Sequence, residues 1–382
     1  MEIGGFFEFP KFDCDNNSDS VYNYITGLYE KYSFFRDGRQ AIKAVLLNID
    51  KIKNKKCYLP SYVCETIITP FIELGLNVNF FHHDNPLKPL YNKDIKDSVI
   101  LFIDYFGTDF VSNNEIHELL NNGNIVIMDL THSILDKSRF SIKHDNYYLV
   151  ASLRKLFPIP DGGIVYYNTE NFNSSDEFPK DYEPKLEAMI LRYFYLSGLN
   201  TDLNVPVEED KKLDSILKDV YTKKPSGFKK DLEAVKKYYL SLHYEYEVKK
   251  MTNEIIPQNI PFISLYILNN ISYSNLTNKR HENLKFFYEN VNKDLFLYNF
   301  KDIKSPFLLP LKFESESERD LVKNTLIKND IYPPIIWDIR KYMPLKYTYE
   351  HEISKTMLTL PIDQRYNPEN LSRVANILHE MY

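Results

Sequence analysis

Over the first 170 positions the apolar residues fall into short unbroken runs with helically spaced stretches between them. Val99–Asp104 (VILFID), Ile125–Asp129 (IVIMD) and Tyr147–Ser152 (YYLVAS) are such runs, and Lys56–Pro60 and Val78–His82 read as further short strands. A run that is apolar on both faces reads as a strand buried between two layers, the habit of parallel sheets. Between the runs, FFRDGRQAIKAVLLNI places Ala41, Ile42, Val45, Leu46 and Ile49 at helical spacing behind Asp37 and Gly38. A second helix is predicted from Tyr62 to its stop at Gly75, and a third around Glu115–Asn122. Strand and helix in alternation predict an α/β fold with a mainly parallel, doubly wound sheet. Right-handed crossovers then gather the strand ends on one edge.

From about Glu170 to Pro257 the pattern turns helical and polar, with PKLEAMILRYFYLSG and KKDLEAVKKYYLSLHYEYEVKKM as its clearest helices. The second carries Leu232, Val235, Tyr238, Tyr239 and Leu242 on one predicted face, and its basic residues read as a solvated face. The LRYFYL segment of the first predicts an exposed apolar surface, a reason to expect self-association. Beyond Ile260, a helix, strands near SPFLLPLKF, a helix at SERDLVKNTLIKN and a closing helix after Asn367 predict a small α+β lobe. The expected division is a large domain, 1–257, with its helical middle at 170–257, and a smaller C-terminal domain, 258–382.

Composition narrows the function. A net charge of −6 with acids and lysines interspersed offers no basic patch for nucleic acid, so small molecules are the expected partners. No run approaches the roughly 18 apolar residues of a membrane span. The start, MEIGGFFEFPKFD, has no basic region ahead of an apolar one, and a cytoplasmic location is expected. Cys14, Cys57 and Cys64 lack metal-ligand spacing and read as reduced structural thiols.

The chemistry concentrates between Ile125 and Gly163. Asp129 and His132 end one apolar run, Ser152 and Lys155 the next, and the carboxyl edge of such a sheet is where open α/β folds place a ligand. A lysine that attacks a carbonyl must lose its proton, through burial or a cationic neighbour such as Arg154. An aspartate beneath a pyridine ring keeps the ring nitrogen protonated. The helix start at Gly38 offers free N–H groups to a phosphate, and Gly162-Gly163 permits close packing. An exposed lysine, a capping aspartate and an ordinary capped helix account for the same residues taken singly.

The segments GRQAI, YLPSYVCETIITPFIELG, DYFG, DLTHS and SLRKLFPIPDGG resemble, in order and spacing, the DegT/StrS family of pyridoxal 5'-phosphate (PLP) sugar aminotransferases, of fold type I. LPIDQRY near the C-terminus is similar to the end of that family's small domain. The resemblance implies that Lys155, seven residues before the first glycine of the pair, carries the cofactor and that Asp129 meets the pyridine nitrogen. It implies His132 beside the ring hydroxyl and Ser152 at the phosphate, here three residues before the lysine where many members have five. Gly38 and Arg39 take the place of the family's phosphate turn, and Cys64 that of the aromatic residue stacked on the ring. It further implies a homodimer, glutamate as amino donor and a nucleotide-linked keto sugar as acceptor, in polysaccharide or secondary-metabolite synthesis. The family's partner-subunit asparagine motif is not recognisable after residue 170.

Other chemistries fit less well. Ser152 and Lys155 spell the SxxK of penicillin-recognising acyl transferases, but Pro158 and Pro160 oppose the helix it needs and no KTG or SDN occurs. GxGxxG, Walker A and HExxH patterns are absent. A non-catalytic PLP or sugar-nucleotide binder of the same fold would have no need of Lys155 and Asp129 together. An aminotransferase acting on a non-sugar ketone is the main alternative.

Overall fold

The computed structural model describes residues 2–14, 17–170, 172–179, 181–197 and 232–382. A short strand Ile3–Gly4 (β1) precedes helix Val21–Thr26 (α1) and strand Lys31–Phe35 (β2). Helices Gly38–Leu47 (α2), Glu65–Glu73 (α3) and Asn113–Asn121 (α4) then alternate with strands. The strands are Lys56–Pro60 (β3), Asn77–Asp84 (β4), Lys88–Leu90 (β5), Val99–Ile103 (β6), Ile125–Asp129 (β7), Tyr147–Ser152 (β8) and Gly163–Tyr167 (β9). They form an eight-stranded sheet in the order β2-β9-β8-β7-β6-β3-β4-β5. The five strands from β8 to β4 run parallel, as the unbroken apolar runs predict, and β6 and β7 are buried at every residue. β9 and β2 add an antiparallel edge that the sequence pattern did not resolve.

The sharp helix starts have side-chain causes. Asp37 caps α2 by accepting the Gln40 N–H, and Ser112 with Glu115 forms a capping box on α4. Tyr105–Gly107, which follow β6, form a 3₁₀ turn.

After β9 come helices Glu183–Leu196 (α5), Leu232–Thr252 (α6), Phe262–Asn269 (α7) and Tyr273–Asn290 (α8). The helical expectation for residues 198–231 lies outside the described residues. The chain closes with strands Leu308–Lys312 (β10), Ile331–Tyr332 (β11) and Met357–Pro361 (β12), and helices Glu316–Lys328 (α9), Thr348–Thr356 (α10) and Pro368–Met381 (α11). β10 pairs antiparallel with β12, while β11 pairs with β1, so the first residues of the chain share a layer with the last quarter. Gly4–Phe7, which follow that pairing, line a cavity that Lys155 also lines.

Two surface expectations are corrected here. In LRYFYL, Leu191, Arg192, Tyr193 and Phe194 are buried, because α5 packs along α6 and Arg192 ties the segment to the Gly4 carbonyl. On α6 the predicted apolar face is split: Val235 and Tyr239 are buried, whereas Leu232 and Tyr238 are exposed. Its buried side continues instead through Tyr246 and Lys250, so the basic residues of this helix do not all face water.

Candidate active site

Two acids end neighbouring parallel strands, and their surroundings differ. Asp104, just after β6, is held by Arg139 through Nε and Nη2 at 2.9 and 2.8 Å. Asp129, the last residue of β7, is buried and accepts the Thr131 N–H at 2.9 Å and the Thr131 hydroxyl, with no lysine or arginine in ion-pair contact among the described residues. Burial, with the Asp104 charge adding to it, pushes its pKa up to about 6 against the opposing pull of the Thr131 hydroxyl and N–H and of the more distant Lys155 charge. A buried carboxylate without a cation is a site prepared for one.

Lys155 closes the 3₁₀ turn Leu153–Lys155 that follows β8, and the prolines at 158 and 160 keep the turn from becoming a helix. The one-turn α-helical geometry that an SxxK nucleophile needs is therefore not formed. The lysine reaches into a cavity of about 380 Å³ that also touches Gly4–Phe7, α5, α6 and β12. Its side chain is exposed in this half-open cavity, yet the protein around it still desolvates the amine. This desolvation, and next the Arg154 guanidinium, lower its pKa, opposed by Cys64 and Glu247. Arg154 is fixed by a bidentate pair with Glu247 on α6 at 2.9 and 3.1 Å.

His132 is buried beyond the end of β7. Its ring stacks on Phe307 at 4.1 Å and lies 5.8 Å from Trp337, both from the C-terminal part of the chain. Nδ1 accepts the Phe106 N–H at 3.2 Å, which assigns the proton of a neutral ring to Nε2. Burial, with Lys155 adding to it, holds the pKa down to about 3, so the ring stays neutral and offers one N–H.

The other end of the site is the start of α2. Gly38 lies against Ser152, where a Cβ would stand 3.0 Å from the serine Cβ, and a Cβ on Gly163 would fall 2.4 Å from the Asp37 carbonyl. Both glycines are needed to seat the helix on the ends of β8 and β9. The N–H groups of Gly38 and Arg39 have no intrahelical acceptor, and the Ser152 hydroxyl has no partner among the described residues. Asp37 is neutralised by Lys250 at 2.9 Å and Arg39 at 3.4 Å, which hold its pKa well below the carboxylate range despite burial. Cys64 is the N-cap of α3, its Sγ 3.0 Å from Thr66 Oγ1, and no aromatic ring replaces it at that position.

Asp129, His132, Cys64 and Lys155 therefore share one electrostatic neighbourhood; Gly38 meets Ser152 at the start of α2, where the Arg39 side chain turns to Asp37. Sequence reading missed the contribution of α5 and α6. Lys250 bridges Asp37 and Asp161, Glu247 holds Arg154, and Lys185 and His243 line the Lys155 cavity. The available signal was the spacing Val235, Tyr239, His243, Tyr246, Lys250, which continues one helix face from apolar into polar residues.

These residues fit PLP. A buried acid without a cation and a neutral imidazole would suit its pyridine ring, an amine of lowered pKa its aldehyde, and the free N–H groups at the start of α2 with the Ser152 hydroxyl its phosphate.

No family model matches the chain, and no curated protein matches its sequence. Solved structures do match in fold. Spr1654 from Streptococcus pneumoniae, solved in a PMP form, superposes with a TM-score of 0.59 at 11% identity over 99% of this chain and 94% of its own. A DegT DnrJ EryC1 StrS aminotransferase from Brucella abortus gives 0.55 at 13% identity, covering 97% and 91%. DesI, solved in the presence of its TDP-sugar product, gives 0.58 at 12% identity, covering 94% and 83%. The α/β fold of this chain is thus that of these solved structures, shared along almost its whole length.

Proposed function

We propose that this protein is a PLP-dependent aminotransferase of the DegT/StrS type, moving an amino group from glutamate to the keto group of a nucleotide-linked sugar. The observation that carries the reading is the pairing, at the ends of adjacent parallel strands, of a buried aspartate lacking a cation with a lysine of lowered pKa in a cavity. PLP, when bound, supplies an aldehyde and a protonated pyridine ring that accepts electrons. Asp129 would hold the ring nitrogen protonated, and Nε2–H of His132 would donate to the ring hydroxyl. Gly38, Arg39 and Ser152 would hold the phosphate. Lys155 would carry the cofactor and, as an amine of lowered pKa, would serve as the base and acid that moves the substrate proton. A lysine with a lowered pKa is suited to both directions of that transfer.

DesI, with its TDP-sugar product, supports a nucleotide-linked acceptor, and Spr1654, with its PMP form, supports the cofactor. We place the enzyme in the cytoplasm, where nucleotide sugars are made; no helix among the described residues is long and apolar enough to cross a membrane. A homodimer is part of the proposal. It is favoured by exposed Leu240, Tyr244, Val248 and Met251, which form an apolar stripe on α6 in place of the buried LRYFYL segment. Light scattering showing a monomer at micromolar concentration with PLP bound would remove it.

The test of function is incubation of the purified protein with PLP and glutamate, followed by absorbance. Conversion to the pyridoxamine form is expected, and no conversion would count against transamination from this donor. Panels of NDP-4-keto and NDP-3-keto sugars then identify the acceptor.

A further inference from the structure

Among the cations of the Lys155 cavity, the side chains differ in what already holds them. Arg154 is paired with Glu247, and Arg365 is paired with Asp363 at 2.8 Å and Glu8 at 3.1 Å. Arg280 is spent on Gln364 and on the carbonyls of Pro306, Phe307 and Leu156. Lys185 differs. It is buried on α5, and among the described residues it has no carboxylate in ion-pair contact; its Nζ lies 2.7 Å from Nδ1 of His243 on α6 and 4.3 Å from the centre of the Phe6 ring.

We propose that Lys185, held in place by His243 and Phe6, is the anion-recognition group of this cavity and binds an anionic oxygen of the substrate, carboxylate or phosphate. An ammonium has three donors. The neutral His243 ring occupies one and the π face of Phe6 stabilises the charge, which leaves donors free for a ligand. Burial holds the Lys185 pKa down to about 7 against the raising effect of the Glu247 charge, and burial with the Lys185 charge holds that of His243 to about 3, so the ring stays neutral and its Nδ1 can accept from the ammonium. An arriving anion supplies a counter-charge and restores the ordinary preference of the lysine for its protonated form. His243 itself stacks on Phe6 at 4.2 Å, which ties the N-terminal segment, α5 and α6 into one wall of the cavity that Lys155 also lines. Lys185 is thus a specificity residue, and the helices that carry it select the substrate.

The proposal rests on this cavity being the substrate site, and its test separates the two. Calorimetric titration with glutarate probes the donor carboxylate, and titration with UDP and dTDP probes the acceptor diphosphate, each with and without added PLP. At least one probe is expected to bind the wild type, and Lys185→Gln should weaken that probe about tenfold or more, the size of one charge-assisted hydrogen bond. Lys185→Arg should lose less. Which arm responds tells which substrate the lysine reads. Binding of no probe to the wild type, or equal binding to Lys185→Gln, overturns the proposal. If Lys185→Gln does not fold, limited acetylation of the wild type mapped by mass spectrometry decides: a probe should protect Lys185, and absence of protection overturns it. Borohydride reduction with PLP, read at Lys155, reports separately on the cofactor reading.

Discussion

Asp129→Asn should stabilise the cofactor-free protein while disabling the enzyme. The carboxyl is buried, and its pKa rises from the ordinary 3.8 to about 6. A raised carboxyl pKa means that the folded chain prefers the protonated acid. Its contribution to stability is therefore fully present below pH 3.8 and is lost as the pH climbs through about 6. A gap of about 2 pH units corresponds to a cost of about 3 kcal/mol at neutral pH, at about 1.36 kcal/mol per unit. Asparagine retains an oxygen for the Thr131 N–H and carries no charge, so it escapes that cost, less whatever its own amide loses by burial. The assay is denaturant unfolding of cofactor-free wild type and variant at pH 7 and at pH 4. The variant should be the more stable at pH 7, by up to about 3 kcal/mol, and the advantage should shrink towards pH 4. With PLP the order reverses in function: the variant should keep the lysine adduct and lose most turnover. A variant less stable than wild type at pH 7, or a difference that does not change with pH, would refute the argument that Asp129 is an unpaired buried charge.

Three further outcomes follow from the same geometry. Lys155→Ala should fold, lose the visible absorbance of the lysine adduct and lose turnover; because Lys185 is a second amine of lowered pKa in the same cavity, a residual borohydride-reducible adduct in this variant should disappear in the Lys155→Ala/Lys185→Ala double variant. Normal turnover by Lys155→Ala would overturn its assignment. Glu247→Gln removes an anion that raises the pKa of both Lys155 and Lys185 and frees Arg154, so the pH at which the lysine adduct titrates should fall, and a rise would contradict the electrostatics. Gly163→Ala would drive a Cβ to 2.4 Å from the Asp37 backbone, which cannot turn aside as a side chain would; a loss of about 1–3 kcal/mol in denaturant unfolding and weaker PLP binding are expected.

The sequence by itself determined the layered α/β core and the identity of the residues at its carboxyl edge. Unbroken apolar runs such as VILFI and IVIMD have no polar face to present to water, so they must lie between helices, and parallel crossovers then bring Asp129 and Lys155 to the same side. Helix starts were legible for a similar reason, since Asp37 caps its helix through an interaction three residues long. The antiparallel edge of β2 and β9 was not legible, because its residues alternate no differently from those of a loop flank until they find each other across more than a hundred positions. The polar face of α6 was likewise decided only by tertiary structure. Lys250 and His243 look like solvated residues along the chain, and they are drawn inward because Asp37, Asp161 and Lys185, distant in sequence, stand where that face lands. The burial of a charge depends on whether a partner waits for it in three dimensions, and local periodicity carries no record of that partner.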